Sequence, residues 1–332
     1  MVRFGLIACS SIARRRFLPA LKQSPGARLW RMGSRDERKA EQFAREHGAE
    51  KSGDYESVLS DPDVDAVYIS TPISRHAEWV RRAAESGKHV LCEKPACPGF
   101  AASQKLVNAC RDNKVRLMEG YCFQFHPQHA LVRQLIAEQH IGRPEFFTGE
   151  FTFPRPPEGD VRLKPELNGG VLYDAAGYPV AAALLAFGAM PETVSCQLAM
   201  DSTAGVDRAA SLRLTFPGGG MAHCFVGFGL HYRSRYAVTG TQGRLEAERA
   251  YSVLPDKPVR VVLEGPKETQ AFEVLPVDQF VLMIEEFAGQ IAGERPRTDW
   301  EGQLLRQALV MDCALRSAKE ARVISVPVLA PG

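Results

Sequence analysis

The chain has 332 residues, 45% of them apolar and 24% charged, with a formal net charge of +2. At about 100–200 residues per domain this predicts two domains, and so small a charge argues against nucleic acid or an anionic membrane as partner. No apolar run looks long enough to span a bilayer, and Met1-Val2-Arg3-Phe4-Gly5 lacks signal-peptide character, so a cytoplasmic protein is expected.

In chain order, strands are predicted at Phe4–Ala8, Ala27–Met32, Ala66–Ser70, His89–Cys92 and Arg116–Gly120. Helices are predicted between them, at Ile12–Gln23, Asp36–His47, His76–Ser86 and Phe100–Asn113. Such alternation means crossover units and a doubly wound parallel sheet. After about residue 145 the texture changes. Phe146–Phe153 reads as a strand, the proline-rich Pro154–Gly159 as a loop, and Gly170–Leu185 as a helix despite Pro179. Several strand-like runs between Thr193 and Leu263, punctuated by Pro217-Gly218-Gly219-Gly220 and Gly240-Thr241-Gln242-Gly243, predict an antiparallel sheet. Asp278–Ala292 and Trp300–Ala318 are amphipathic helices. The expected class is α/β, a dinucleotide-binding domain over residues 1–122 followed by an α+β domain over 123–332 with a large, mostly antiparallel open sheet. The last helix is free to pack back on the first domain.

Eight cysteines are present, none in a Cys-x-x-Cys pair, so buried free thiols are expected and a metal site is not. His126 and His129 are spaced like a ligand pair but have no third ligand at suitable spacing; packing or substrate contact is the better reading.

The first strand ends in Ala8-Cys9-Ser10-Ser11-Ile12-Ala13. Ala8, Ser10 and Ala13 take the three small-residue positions of a dinucleotide fingerprint, although none is glycine. A helix starting here would aim its N-terminal amides at a pyrophosphate. At the tip of the second strand, Ser34 and Arg35 stand where an NAD enzyme carries an acid. A hydroxyl beside a guanidinium suits a 2′-phosphate, which points to NADP(H). The fourth strand runs into Glu93-Lys94-Pro95, and a lysine at the carboxyl end of a parallel strand sits where such sheets bind ligands.

Glu93-Lys94-Pro95 after Gly87-Lys88-His89-Val90 resembles the glucose–fructose oxidoreductase and inositol dehydrogenase superfamily. So do Asp63–Pro72 followed by His76, and Gly169–Pro179 with Asp174 and Tyr178 four residues apart. Tyr178 and the stretch Phe123-Gln124-Phe125-His126-Pro127 are similar to the branch of NADP-dependent sugar 3-ketoreductases and aldose or dihydrodiol dehydrogenases. The resemblance implies an oxidoreductase acting on CH–OH and C=O groups. Its implied cofactor contacts add Thr71, Pro72, His76, Glu93 and Lys94 to Ala8, Cys9, Ser10, Ser11, Ile12, Ser34 and Arg35. It implies Lys94, Tyr178 and Asp174 as catalytic residues in a cleft between the domains, and Gln124 and His126 as substrate contacts with Asp174 and Tyr178. Arg162, and less so Arg155, lie in a loop that could meet a sugar-linked diphosphate. A tyrosine of ordinary pKa, about 10, donates poorly near neutrality unless a cation helps, so Lys94 is read as the partner of Tyr178, with the reverse assignment open. A keto-sugar reductase, including one for nucleotide-linked 3-keto-deoxysugars, is favoured. An aldose or trans-dihydrodiol dehydrogenase, or a non-catalytic NADP(H)-binding regulator of the same fold, stays open. A homo-oligomer, dimer or tetramer, is expected.

Overall fold

The computed structural model describes residues 1–329. Ala330, Pro331 and Gly332, the end of the second expected domain, lie outside them. Two compact units are present: Met1–Cys122 with Gln279–Leu305, and Phe123–Asp278 with the residues from Arg306 onward.

The chain opens with β1 (Val2–Ile7), a π-helical turn at Ala13–Phe17, α1 (Leu18–Gln23), β2 (Ala27–Gly33) and α2 (Glu37–His47). There follow β3 (Lys51–Gly53), α3 (Tyr55–Ser60), β4 (Ala66–Ile69), α4 (Ile73–Glu85), β5 (His89–Cys92), α5 (Phe100–Asp112) and β6 (Leu117–Glu119). The six strands are parallel in the order β3-β2-β1-β4-β5-β6. All four residues of β4 are buried, as expected where helices cover both faces of a parallel sheet. Strand order reverses between β1 and β4, so the loops leaving those strands flank the crevice where doubly wound sheets bind ligands. β3 and α3 were not anticipated. β3 is three residues long, and α3 is one short helix started by the Asp54 carboxylate, which accepts from the Ser57 amide at 2.8 Å.

The second unit contains α6 (Pro127–Ala137), β7 (Pro144–Phe153), a π-helical turn at Leu172–Ala176, α7 (Gly177–Phe187), β8 (Thr193–Met200), β9 (Asp207–Thr215) and β10 (Met221–Phe228). It continues through β11 (Arg233–Gly240), β12 (Arg244–Ala247), β13 (Val259–Glu264) and β14 (Thr269–Val274). These strands and β15 (Ile324–Ser325) form a nine-stranded sheet, β14-β13-β12-β11-β7-β10-β9-β8-β15, antiparallel except where β10 runs parallel to β7. α7 lies close on β7: a Cβ on Gly149 would come within 2.7 Å of Pro179 Cβ. Pro179 is the third residue of α7, at the junction with the π-helical turn that precedes it. Pro165–Phe187 does reach the length and apolar composition of a membrane span, which the sequence reading did not expect. Two-thirds of its most apolar window (67%) is buried inside the structure, as in a core helix.

The remaining helices are α8 (Gln279–Ile291) and α9 (Trp300–Glu320). α8 and the first turn of α9 belong to the first unit. Arg116, just before β6, anchors them. Its guanidinium bonds Glu301 Oε1 at 2.9 Å, Gln290 Oε1 at 3.1 Å and the Thr298 carbonyl at 2.6 Å, and lies over the Trp300 ring. Both members of the Arg116–Glu301 ion pair are buried, and the extra hydrogen bonds offset their desolvation.

Candidate active site

In the first unit the loop after β1 turns at Ala8, whose φ of 94° lies in the region that favours glycine. The chain thus makes the fingerprint turn with alanine in place of glycine. Ser10 Oγ accepts from the Ala13 amide at 3.1 Å and shares a 2.7 Å hydrogen bond with Ser70 Oγ, tying the helix start to the end of β4. Cys9 is buried, and burial pushes its thiol pKa up, so it packs as a neutral thiol. At the tip of β2, Ser34 is buried and its Oγ accepts from the Asp36 amide at 3.2 Å, while Arg35 is exposed. No ion pair engages Arg35 among the described residues. Its guanidinium acts on Tyr55, whose pKa burial raises against that pull.

Lys94 is half-buried in the turn after β5. Glu93 beside it accepts a 2.6 Å hydrogen bond from Tyr68 Oη, and the Tyr68 ring stacks on Phe17 at 3.7 Å between centroids. The π-helical turn after β1 therefore packs through Tyr68 to the residue preceding Lys94. His76 is buried, and its nitrogens meet two backbone carbonyls, Nδ1 to Pro95 O at 2.8 Å and Nε2 to Thr71 O at 2.7 Å. His76, expected from the sequence as a cofactor contact, thus joins two loops through its ring nitrogens. Thr71 Oγ1 is buried with no hydrogen-bond partner in the structure, and Pro72 begins α4.

In the second unit Tyr178 is half-buried in the first turn of α7, its ring packed against Phe151 (5.0 Å), Phe123 (5.5 Å) and Tyr251 (5.8 Å). Asp174 lies in the preceding π-helical turn, not in one regular helix with Tyr178 as the spacing suggested. Its Oδ2 is 4.0 Å from Arg162 Nη1. Arg162 also holds Asp160 at 2.9 and 2.8 Å, and Arg155 pairs with Asp201. Each guanidinium therefore already has a carboxylate. Gln124 is half-buried in a 3-10 turn at Cys122–Phe125. His126 is the N-cap of α6, not a residue within it; its Nδ1 accepts from the Gln128 amide at 3.4 Å, and its Nε2 is buried without a partner. Burial lowers its pKa to about 4, so it is a neutral ring. His129 is a packing residue: it bonds Tyr236 Oη at 2.9 Å and the Ala250 carbonyl at 3.0 Å.

Two residues near these groups carried no sequence signal. Asp207 accepts from the Leu172 amide at 2.6 Å and so starts the segment bearing Asp174 and Tyr178. Glu119, at the end of β6, accepts from the Ala96 amide at 2.7 Å, two residues after Lys94. Both are brought in by strand pairing, which local spacing does not reveal.

The family model described as an oxidoreductase family with NAD-binding Rossmann fold matches residues 2–121, and that of the GFO/IDH/MocA C-terminal domain matches 129–246. The dTDP-3,4-didehydro-2,6-dideoxy-α-D-glucose 3-reductase of Actinomadura kijaniata is 35% identical over 96% of both chains. D-xylose 1-dehydrogenase (NADP(+)) 2 of Haloferax volcanii is 35% identical over 90% of this chain and 92% of its own. The crystal structure of KijD10, a 3-ketoreductase from Actinomadura kijaniata in complex with NADP and TDP-benzene, superposes with a TM-score of 0.91 at 34% identity, covering 95% of this chain and 97% of that one. The chain belongs to the GFO/IDH/MocA family of oxidoreductases.

Proposed function

We propose that this chain is an NADP(H)-dependent reductase of a keto-sugar, with a nucleotide-linked 3-keto-deoxysugar as the favoured substrate class. What carries the reading is the likeness, over nearly the whole chain, to a 3-ketoreductase solved with NADP and TDP-benzene. The residues present fit the cofactor: a buried Thr71 hydroxyl lacks a partner, and among the described residues no carboxylate engages the exposed Arg35. The Ala8–Ile12 loop, Ser34, Arg35, Thr71 and Pro72 would hold it, with Arg35 toward the 2′-phosphate. When bound, NADPH supplies the hydride that reduces a carbonyl carbon. Tyr178 hands its phenolic proton to the carbonyl oxygen as negative charge builds there. Lys94 stabilises that charge and the resulting phenolate. Asp174, beside Arg162, orients sugar hydroxyls. Because Arg155 and Arg162 are engaged by Asp201 and Asp160, they are not the favoured diphosphate contacts.

The test is NADPH consumption with a dTDP-linked 3-keto-deoxyhexose, run beside NADP⁺ reduction with D-xylose and with a trans-dihydrodiol. Faster turnover of the keto-sugar is expected. Preference for xylose or the diol would move the assignment to the dehydrogenase alternative. Tight NADPH binding with no turnover of any of them would favour a non-catalytic regulator.

We also propose a homo-oligomer formed through the nine-stranded sheet. Phe146 and Met221 are register partners on β7 and β10 and are 40% and 54% exposed, an apolar pair suited to a second copy. Light scattering at micromolar concentration should give at least a dimer mass; a monomer would contradict this.

A further inference from the structure

The turn that presents Lys94 is gripped at both polar groups of the Pro95–Ala96 peptide. His76, from α4, meets the Pro95 carbonyl at 2.8 Å. Glu119, from the end of β6, accepts the Ala96 amide at 2.7 Å. The two anchors are themselves fixed. His76 is also held to the Thr71 carbonyl, and Glu119 is the register partner of Cys92, the last residue of β5 before Glu93 and Lys94. The Gly120 amide donates to the Cys92 carbonyl at 2.7 Å, which closes β6 onto the strand that feeds the turn. We propose that Glu119 and His76 are positioning residues that fix the Lys94–Ala96 turn, and that Glu119 does so fully only as a carboxylate. The proposal rests on the reading of Lys94 as a reacting group; neither residue is offered as touching substrate.

The chemistry of the two grips differs. A neutral imidazole has one N–H and can donate to only one of the two carbonyls. Full use of both contacts requires the imidazolium, which burial and the Lys94 charge oppose. Glu119 is an acceptor facing an amide, and it accepts more strongly when ionised. The groups that face it are Lys94, the Ala96 amide, Glu93 and the Cys92 and Cys97 thiols. Burial raises its pKa to about 7, against the Ala96 N–H and the Lys94 charge, with Glu93 adding to the rise. Above that pH the grip is charge-assisted; below it the carboxyl is protonated and the amide is held more loosely. The sign for stability is opposite. An acid with a raised folded-state pKa makes the fold more stable as pH falls through that value, so the carboxylate that serves the turn is a stability cost at neutral pH.

Two measurements on the full-length chain test this. The first is the NMR shift of the Ala96 amide in protein carrying ¹⁵N-labelled alanine, which needs no substrate. It should move with pH, with a midpoint near the value of about 7 given for Glu119, and stay fixed in Glu119→Gln. A flat wild-type profile, or the same titration in Glu119→Gln, would overturn the proposal whatever the reaction is. The second is kinetic, with the dTDP-linked 3-keto-deoxyhexose. Glu119→Ala and His76→Ala should lower kcat by roughly 10–100-fold, the scale of a small misplacement, with NADPH affinity within about twofold in Glu119→Ala. Glu119→Gln, which keeps an acceptor of the same shape, should retain more activity but lose the fall in kcat on the acid side. In a Lys94→Met background, Glu119→Ala should change the residual rate by less than about twofold, since there is no cation left to position. A large further loss there would overturn the positioning role. If Lys94→Met itself is fully active, the reading of Lys94 has failed, and the amide titration judges the grip alone.

Discussion

The helix that follows β1 and the helix that carries Tyr178 both begin with a π-helical turn, Ala13–Phe17 and Leu172–Ala176, yet their starts are anchored in opposite ways. The first is capped locally: Ser10 Oγ accepts from Ala13 N, three residues on. The second is capped from a distant strand: Asp207 accepts from Leu172 N at 2.6 Å across 35 residues. The first start is the one proposed to hold a phosphate-bearing cofactor, and short-range sequence suffices to build it. The second carries Tyr178, the proposed proton donor, and is fixed by a carboxylate from the sheet of its own unit. Single π-turns of this kind recur at functional sites, and here one stands beside each of the two sets of proposed site residues.

The comparison can be broken first at the reacting groups. Lys94→Ala should lower turnover by at least about 10²–10⁴-fold, because it removes the charge that stabilises the oxygen and assists Tyr178. The Lys94→Ala, Tyr178→Phe double variant should be little worse than the worse single one. Additive losses would mean that the two residues do not act as a unit.

Next in size is cofactor choice. Arg35→Ala should weaken NADPH binding by about 1.5–3 kcal/mol and leave NADH nearly unchanged, as expected for one lost charge-assisted phosphate contact. Equal losses for both nucleotides, read by fluorescence titration, would remove Arg35 from the phosphate.

The two caps sharpen the comparison. Asp207→Ala leaves the Leu172 amide without its carboxylate and should destabilise the second unit by about 1.5–3 kcal/mol. Ser10→Ala should cost about 1 kcal/mol. Urea unfolding would read both, and a larger loss at Ser10 would reverse the order. The smallest effect expected is a gain. Ala8→Gly relieves a residue held at φ 94° and should stabilise the first unit by about 1 kcal/mol, the lower end of such strain. A loss of stability would show that the alanine side chain contributes packing that outweighs it.

The same division explains what the sequence revealed. β1, β4 and β5 are short apolar runs because both faces of the parallel sheet are covered, and that pattern is visible residue by residue. β3 escaped notice because its three residues, Lys51–Gly53, are polar or small and only half-buried at the sheet edge. Lys94, Asp174 and Tyr178 were proposed through motifs whose spacing is local. His76 was noticed, but nothing in its spacing says that its two nitrogens would meet the Thr71 and Pro95 carbonyls. Asp207 and Glu119 were missed altogether, since each reaches its amide only through strand pairing. Arg162 looked available for a phosphate until Asp160, two residues away, was seen to hold it.

The account stands most directly on Tyr178. Tyr178→Phe keeps the ring and its packing against Phe151, Phe123 and Tyr251 and removes only the hydroxyl. Single-turnover kinetics with NADPH already bound and a dTDP-linked 3-keto-deoxyhexose added should show the reduction rate lowered by roughly 10²–10⁴-fold, with the NADPH dissociation constant unchanged. A variant that reduces the sugar at nearly the wild-type rate would contradict the assignment of Tyr178 as the proton donor.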